Sequence, residues 1–262
     1  MKDFEVALAR QRFPRGLRQP EGGYRFSGDS LLLASFARSF ASGPGLDLGT
    51  GCGVVGLAYL LRHPDADLHV TGVDREPEMT RAARENARLL GYEDRFAVKL
   101  SDVADYDFQG NHFEFALCNP PFRPRHRGRV SPNSARASAR FEGSDGLEPF
   151  AAAARVSLKD KAPLYLVHIP ERLPEIVEVL RSNGLEPKRM RFVHGHAEAE
   201  ARVVLLEARK NGKPGMSVEP PLVLYEGRSA RSGVTASALA FCPYLQCNAR
   251  GDEAKGGSGH GA

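Results

Sequence analysis

Leu46-Asp47-Leu48-Gly49-Thr50-Gly51-Cys52-Gly53-Val54-Val55-Gly56 decides the fold. Leu46–Leu48 predicts a short strand. The glycines predict a tight turn, since glycine takes backbone conformations closed to other residues. A helix begins within the run and continues through Leu57, Leu60 and Leu61. Strand, turn and helix make the first half of a βαβ unit. Further strands are predicted over Leu68–Asp74, Arg95–Leu100, Phe113–Cys118 and Leu164–Val167. Helices are predicted from Pro77 to Gly91, Leu147 to Leu158 and Pro174 to Asn183. Pro suits a first turn and Gly a helix stop. Lys188–His194 and Arg202–Glu207 form a closing pair. The alternation predicts an α/β, doubly wound, mostly parallel seven-stranded sheet with an antiparallel closing strand.

Around this frame, residues 1–23 mix charge, Pro and Gly and read as a mobile arm. In the stretch after it, Asp29 or Ser30 can cap a helix that places Leu32, Leu33, Phe36 and Phe40 on one face. Val218–Tyr225, with two prolines, reads as an edge extension. The expected division is an arm and lead-in helix (1–40), a main domain (41–210), an extension packing on it (211–245) and a disordered tail (246–262). A net charge of +4 permits a nucleic-acid partner without requiring one. Four cysteines without disulfide or zinc spacing suit a reducing compartment, and the acidic start has no apolar signal core. A cytoplasmic monomer without a membrane span or bound metal is the expectation.

Gly51-x-Gly53-x-x-Gly56 satisfies the dinucleotide fingerprint, with Asp74 near the expected acid position. Asp47 argues against a dinucleotide, because a carboxylate before the turn would repel a pyrophosphate. It suits S-adenosylmethionine (SAM), which carries an ammonium and a sulfonium and no phosphate. Asp74 would accept the ribose hydroxyls and Asp102 the adenine amino group. Gly49, Thr50, Gly51, Gly53, Arg75, Val103 and Asn119 complete the expected cofactor set. The acids lie at the carboxyl ends of parallel strands, where such sheets bind ligands.

Asn119-Pro120-Pro121-Phe122 follows the fourth predicted strand. An aromatic exocyclic amine is a weak nucleophile, its lone pair being delocalised into the ring. The Asn119 side-chain carbonyl and the Pro120 backbone carbonyl can accept its two hydrogens and draw the nitrogen toward tetrahedral geometry. Pro121 stiffens the turn, and Phe122 can stack on the base. The following stretch carries Arg123, Arg125, Arg127, Arg129, Arg136 and Arg140, a set suited to phosphates and unstacked bases. A planar protein amide fits the same clamp, so an RNA base and a glutamine side chain both stand as substrates at this point.

Asp47–Gly53 resembles the SAM-binding motif of class I methyltransferases, and Asn119–Phe122 resembles the amino-methyltransferase motif. Tyr24–Ala34, Ser131-Pro132-Asn133, Ala139–Glu142 and Ile169–Leu173 are similar to bacterial tRNA1(Val) adenine-37 N6-methyltransferases. The resemblance implies a Rossmann-like fold and SAM-dependent methylation of adenine N6 in a tRNA anticodon loop. The clamp motif also occurs in rRNA guanine N2- and release-factor glutamine methyltransferases. A non-catalytic module binding SAM or RNA is a third possibility. Two departures stand out. Lys159-Asp160-Lys161-Ala162-Pro163 replaces an expected glycine-containing turn, and Phe122 stands where many relatives have Tyr.

Overall fold

The structure is a computed structural model that describes residues 2–20, 26–108, 110–121, 146–229 and 232–246. Five strands run parallel: β1 (Ser42–Leu48), β2 (Asp67–Asp74), β3 (Phe96–Leu100), β4 (Phe115–Cys118) and β5 (Pro163–His168). β6 (Leu185–His194) and β7 (Ala201–Lys210) follow, with β7 antiparallel to both β5 and β6. Two short strands, β8 (Ser217–Val218) and β9 (Leu222–Val223), pair parallel with β6. They extend the expected seven strands to nine among the described residues, in the order β3-β2-β1-β4-β5-β7-β6-β8 with β9 also on β6. The order reverses beside β1, which places a crevice above β1 and β4.

Central strands are buried on both faces and read as continuous apolar runs. Phe115-Ala116-Leu117-Cys118 and Pro163–His168 are buried throughout. Alternate side chains enter two cores. Phe115, Leu117, Tyr165 and Val167 join the helices α2 (Gly28–Phe36), α3 (Val54–Arg62) and α4 (Pro77–Leu89). Ala116, Cys118, Leu164 and Leu166 join α5 (Glu148–Ser157) and α6 (Leu173–Ser182) on the opposite face. Among these helices, α4 is strongly amphipathic, burying Met79, Ala82, Ala83, Asn86 and Ala87 along one side.

The N-terminal segment departs from the expected mobile arm. Lys2–Arg12 forms α1, which lies against the end of α4. Arg10 Nε donates to the Leu90 carbonyl at 2.8 Å, and its guanidinium lies 4.6 Å from the centre of the Tyr92 ring. Farther on, the buried Asn86 side chain accepts from the Arg18 N–H and donates to the Arg18 and Cys52 carbonyls. One amide thus ties the N-terminal segment to the glycine turn.

Helix α2 is capped by Ser27, not by Asp29 or Ser30. The Ser27 hydroxyl oxygen accepts from the Asp29 N–H, and Asp29 and Ser30 are already helical. The helix ends at Phe36, so Phe40 lies beyond it, and Leu31, Leu32, Leu33, Ala34 and Phe36 are all buried. A helix buried along most of its length is a core element, covered here by α3, the sheet and α7 (Ala236–Phe241), a short helix that local sequence does not mark. In the glycine-less turn before β5, Lys161 itself takes the left-handed conformation, at φ 63°. The tail beyond residue 246 lies outside the described residues.

Candidate active site

Four adjacent strands bring the predicted acids and the clamp to one edge. Asp47 is the penultimate residue of β1 and Asp74 the last of β2. Asp102 follows β3 by two residues, and Asn119 directly follows β4. The turn between β1 and α3 lies among them. Gly49, Gly51 and Gly53 all have positive φ. At Gly51, φ is 56° and a Cβ would meet no atom within 4 Å, so this residue opens the turn toward the crevice. At Gly56 the need is different. A Cβ there would lie 2.5 Å from the Phe96 ring and 3.1 Å from Asp47 Oδ2, so glycine allows α3 to sit close on the sheet.

Asp47 is buried beneath the turn. Its Oδ2 accepts from the Thr50 hydroxyl at 2.6 Å and from the Gly56 N–H at 3.0 Å. Its Oδ1 is buried and has no partner among the described residues. Burial pushes the carboxyl up to about 6, against the opposing effect of those two hydrogen bonds. Asp74 Oδ2 accepts from the Gly51 N–H at 2.8 Å, and Oδ1 accepts from the Glu76 N–H at 2.9 Å. Here too burial raises the carboxyl. Asp102 is held by the Ala104 N–H at 3.0 Å and by Arg75 Nη1 at 3.4 Å. Val103 is buried in the second core, and Thr50 packs over Gly72 of β2.

The raised carboxyl of Asp47 has a pH signature. Because it binds its proton more tightly folded than unfolded, its contribution to stability is greatest below about pH 4. That contribution falls as pH rises toward 6 and is constant above. One pKa unit corresponds to about 1.4 kcal/mol. Urea unfolding of wild type and Asp47→Asn across pH 4–7 is expected to show this downward component in wild type alone. Parallel stability profiles would refute it.

At the clamp, Asn119 Nδ2 donates to the hydroxyl of Ser30 at 2.8 Å. Asn119 Oδ1 is buried and has no partner among the described residues. Pro120 is buried and Pro121 exposed. Phe122 and the arginines Arg123, Arg125, Arg127, Arg129, Arg136 and Arg140 lie outside the described residues. Local sequence marks Ser30 only as a possible helix cap. Ser30 and Asn119 are 89 residues apart, and no local pattern links them.

A cationic, phosphate-free ligand fits this edge. A buried carboxylate oxygen lacks a donor among the described residues, the turn opens at Gly51, and Asp74 and Asp102 stand at neighbouring strand ends. A buried unpartnered oxygen costs stability unless something donates to it.

Residues 27–137 match the family model of the methyltransferase small domain. The tRNA1(Val) (adenine(37)-N6)-methyltransferase of Actinobacillus succinogenes is 35% identical over 114 residues, 43% of this chain and 47% of that protein. A protein of the same name from Porphyromonas gingivalis is 28% identical over 193 residues, covering 71% of this chain and 74% of the relative. The chain thus spans about half the length of the first of these relatives and more of the second. Among solved structures, an Agrobacterium tumefaciens protein described as a predicted O-methyltransferase superposes with a TM-score of 0.67 at 22% identity. It covers 82% of this chain and 96% of its own, a likeness of fold. Over residues 27–137, the chain is similar to the methyltransferase small domain.

Proposed function

We propose that this protein is a SAM-dependent methyltransferase acting on the exocyclic N6 of adenine in RNA, with a tRNA anticodon-loop adenosine as its substrate. The observation that carries this reading is the buried carbonyl oxygen of Asn119, without a partner among the described residues, at the same sheet edge as the acids and glycine turn. The names of the two relatives support adenine and tRNA.

When bound, SAM supplies an electrophilic methyl group on a sulfonium. Asp47 Oδ1 would take its ammonium, Asp74 the ribose and Asp102 the adenine amino group, with the Gly49–Gly53 turn lying along it. On the substrate side, Asn119 Oδ1 would accept one hydrogen of the target amine and the Pro120 carbonyl the other. Two acceptors held on rigid backbone favour the pyramidal nitrogen whose lone pair can attack. They also stabilise the positive charge that forms on it, and a fixed environment needs no rearrangement at that moment. Orientation supplies the rest of the rate. Phe122 would stack on the base, and the arginines from Arg123 to Arg140 would hold RNA phosphates.

No helix among the described residues is long and apolar enough to cross a membrane. Incubation with radiolabelled SAM and unmodified total tRNA, followed by nucleoside analysis, tests the proposal. N6-methyladenosine is expected. Label on protein alone would overturn the RNA assignment, and N2-methylguanosine would move the target to guanine. Replacing Arg123, Arg125, Arg127 and Arg129 by Glu should weaken RNA binding and flatten its salt dependence.

A further inference from the structure

We propose that Ser30 is a positioning residue for the methyl-accepting amine. Its hydroxyl holds the Asn119 amide with the carbonyl oxygen, rather than the amino group, turned toward the substrate. The inference rests on the amino-methyltransferase reading above.

An asparagine amide has two ends of nearly equal size, related by a half-turn about its last bond. Only one orientation serves this reaction. With oxygen outward, the amide accepts a hydrogen of the target amine. With nitrogen outward, it points its own hydrogens at those of the substrate and repels it. In the observed arrangement Nδ2 donates to Ser30 Oγ, which leaves Oδ1 for an incoming donor. A serine hydroxyl can accept or donate, and here its oxygen accepts from Nδ2, the pairing that leaves Oδ1 open.

Ser30 is suited to this task because it is itself immobilised. It is 1% exposed and sits in the first turn of α2. Before it, Ser27 caps the helix and donates its hydroxyl to Asp29 Oδ2 at 2.7 Å. At the far end, Arg189 Nη2 donates to the Phe36 carbonyl at 2.7 Å. Asn119 is fixed from the other side by β4. The hydrogen bond therefore spans two rigid elements, the arrangement that holds an active group to the tolerance catalysis requires. Ser30 is buried and its hydroxyl meets Asn119, so its contribution runs through how it sets that amide.

Three variants test this: Ser30→Ala, Ser30→Thr and Asn119→Ala. Alanine is small and favours helix, so Ser30→Ala should fold. It leaves Nδ2 without a partner, and kcat on RNA is expected to fall about 10- to 30-fold, the scale of one lost buried hydrogen bond. KM for RNA and Kd for SAM should stay within about twofold. Ser30→Thr keeps the hydroxyl and should restore most of kcat. A second readout is independent of activity. The Asn119 side-chain NH2 signals, assigned by their loss in Asn119→Ala, should shift in the 15N–1H spectrum of Ser30→Ala and exchange faster with solvent. A Ser30→Ala kcat within twofold of wild type, or a loss confined to KM, would overturn the positioning role. If wild type methylates no RNA, the proposed function fails on its own. The NMR comparison then decides the Ser30 inference, with unchanged Asn119 signals overturning it and shifted signals supporting it.

Discussion

Asn119→Ala is expected to lower kcat for adenine methylation by about 100- to 1000-fold while Kd for SAM changes less than threefold. The magnitude is that of removing one fixed hydrogen-bonding group aimed at developing charge. Alanine keeps the backbone turn and removes the side-chain amide, whose carbonyl would accept from the target amine. The proposed cofactor half of the site, Asp47, Asp74 and the glycine turn, keeps its own hydrogen bonds. Stability should not follow activity. Asn119 Oδ1 is a buried oxygen without a partner among the described residues, so deleting it removes a destabilising feature along with the Ser30 hydrogen bond. Urea midpoints are expected to shift little. Single-turnover kinetics with SAM isothermal titration check both halves. Turnover within tenfold of wild type, a loss under about 1.4 kcal/mol, would show that the amine is activated elsewhere.

The largest stability effect is expected at Glu207. This carboxylate is fully buried on β7, paired in register with Tyr165 of β5 and Arg189 of β6. Arg189 Nε and Arg209 Nε each donate to it at 2.9 Å, and Arg38 Nε lies at 3.2 Å. Burial alone would raise the carboxyl, but the hydrogen bonds from Arg189 and Arg209 outweigh it and hold it below its ordinary value. Its contribution is therefore present above about pH 4.5 and is lost as pH falls below that. Arg189 also donates to Glu219 at 2.9 Å and lies 3.8 Å over the Phe36 ring. Glu207→Ala deletes the shared partner and leaves the Arg189 guanidinium largely buried with one fewer counter-charge. Breaking a buried pair this way costs about 3–5 kcal/mol. The network also grips the end of α2, which carries Ser30, so kcat should fall in the protein that remains folded. Chemical unfolding at pH 7.5 checks the first expectation. A loss below 1 kcal/mol would mean that solvent takes over for Glu207.

Much of the architecture is legible in local sequence. Val54–Arg62 and Pro77–Leu89 show helical periodicity, while the central strands are short apolar runs bounded by turns. These signals are local, because a helix face or a buried strand is defined by neighbours a few residues away. Local sequence is ambiguous where a distant contact decides the structure. Lys2–Arg12 is polar enough to pass for an arm, yet it is an α-helix packed on α4. Contacts 80 residues away, from Arg10 to Leu90 and Tyr92, hold it there. Ala236–Phe241 is too short to declare itself, and its Thr235 cap is one of many such residues in the chain.

The same division runs through the site. Asp47, the glycine turn, Asp74 and Asn119-Pro120-Pro121 could be picked out from the sequence because each ends a strand or begins a turn, and strand ends are legible one at a time. Their meeting at one edge follows from the parallel order β3-β2-β1-β4, which alternating strands and helices already imply. Which atoms are spent and which remain open was settled by tertiary structure alone. Asp47 holds Thr50 and Gly56 with one oxygen and leaves the other, and Asn119 gives its nitrogen to Ser30 and leaves its oxygen. The Glu207–Arg189 network that steadies α2 likewise joins residues from separate elements. Residue types set what chemistry is possible. The direction of a hydrogen bond depends on three-dimensional neighbours that sequence spacing does not encode.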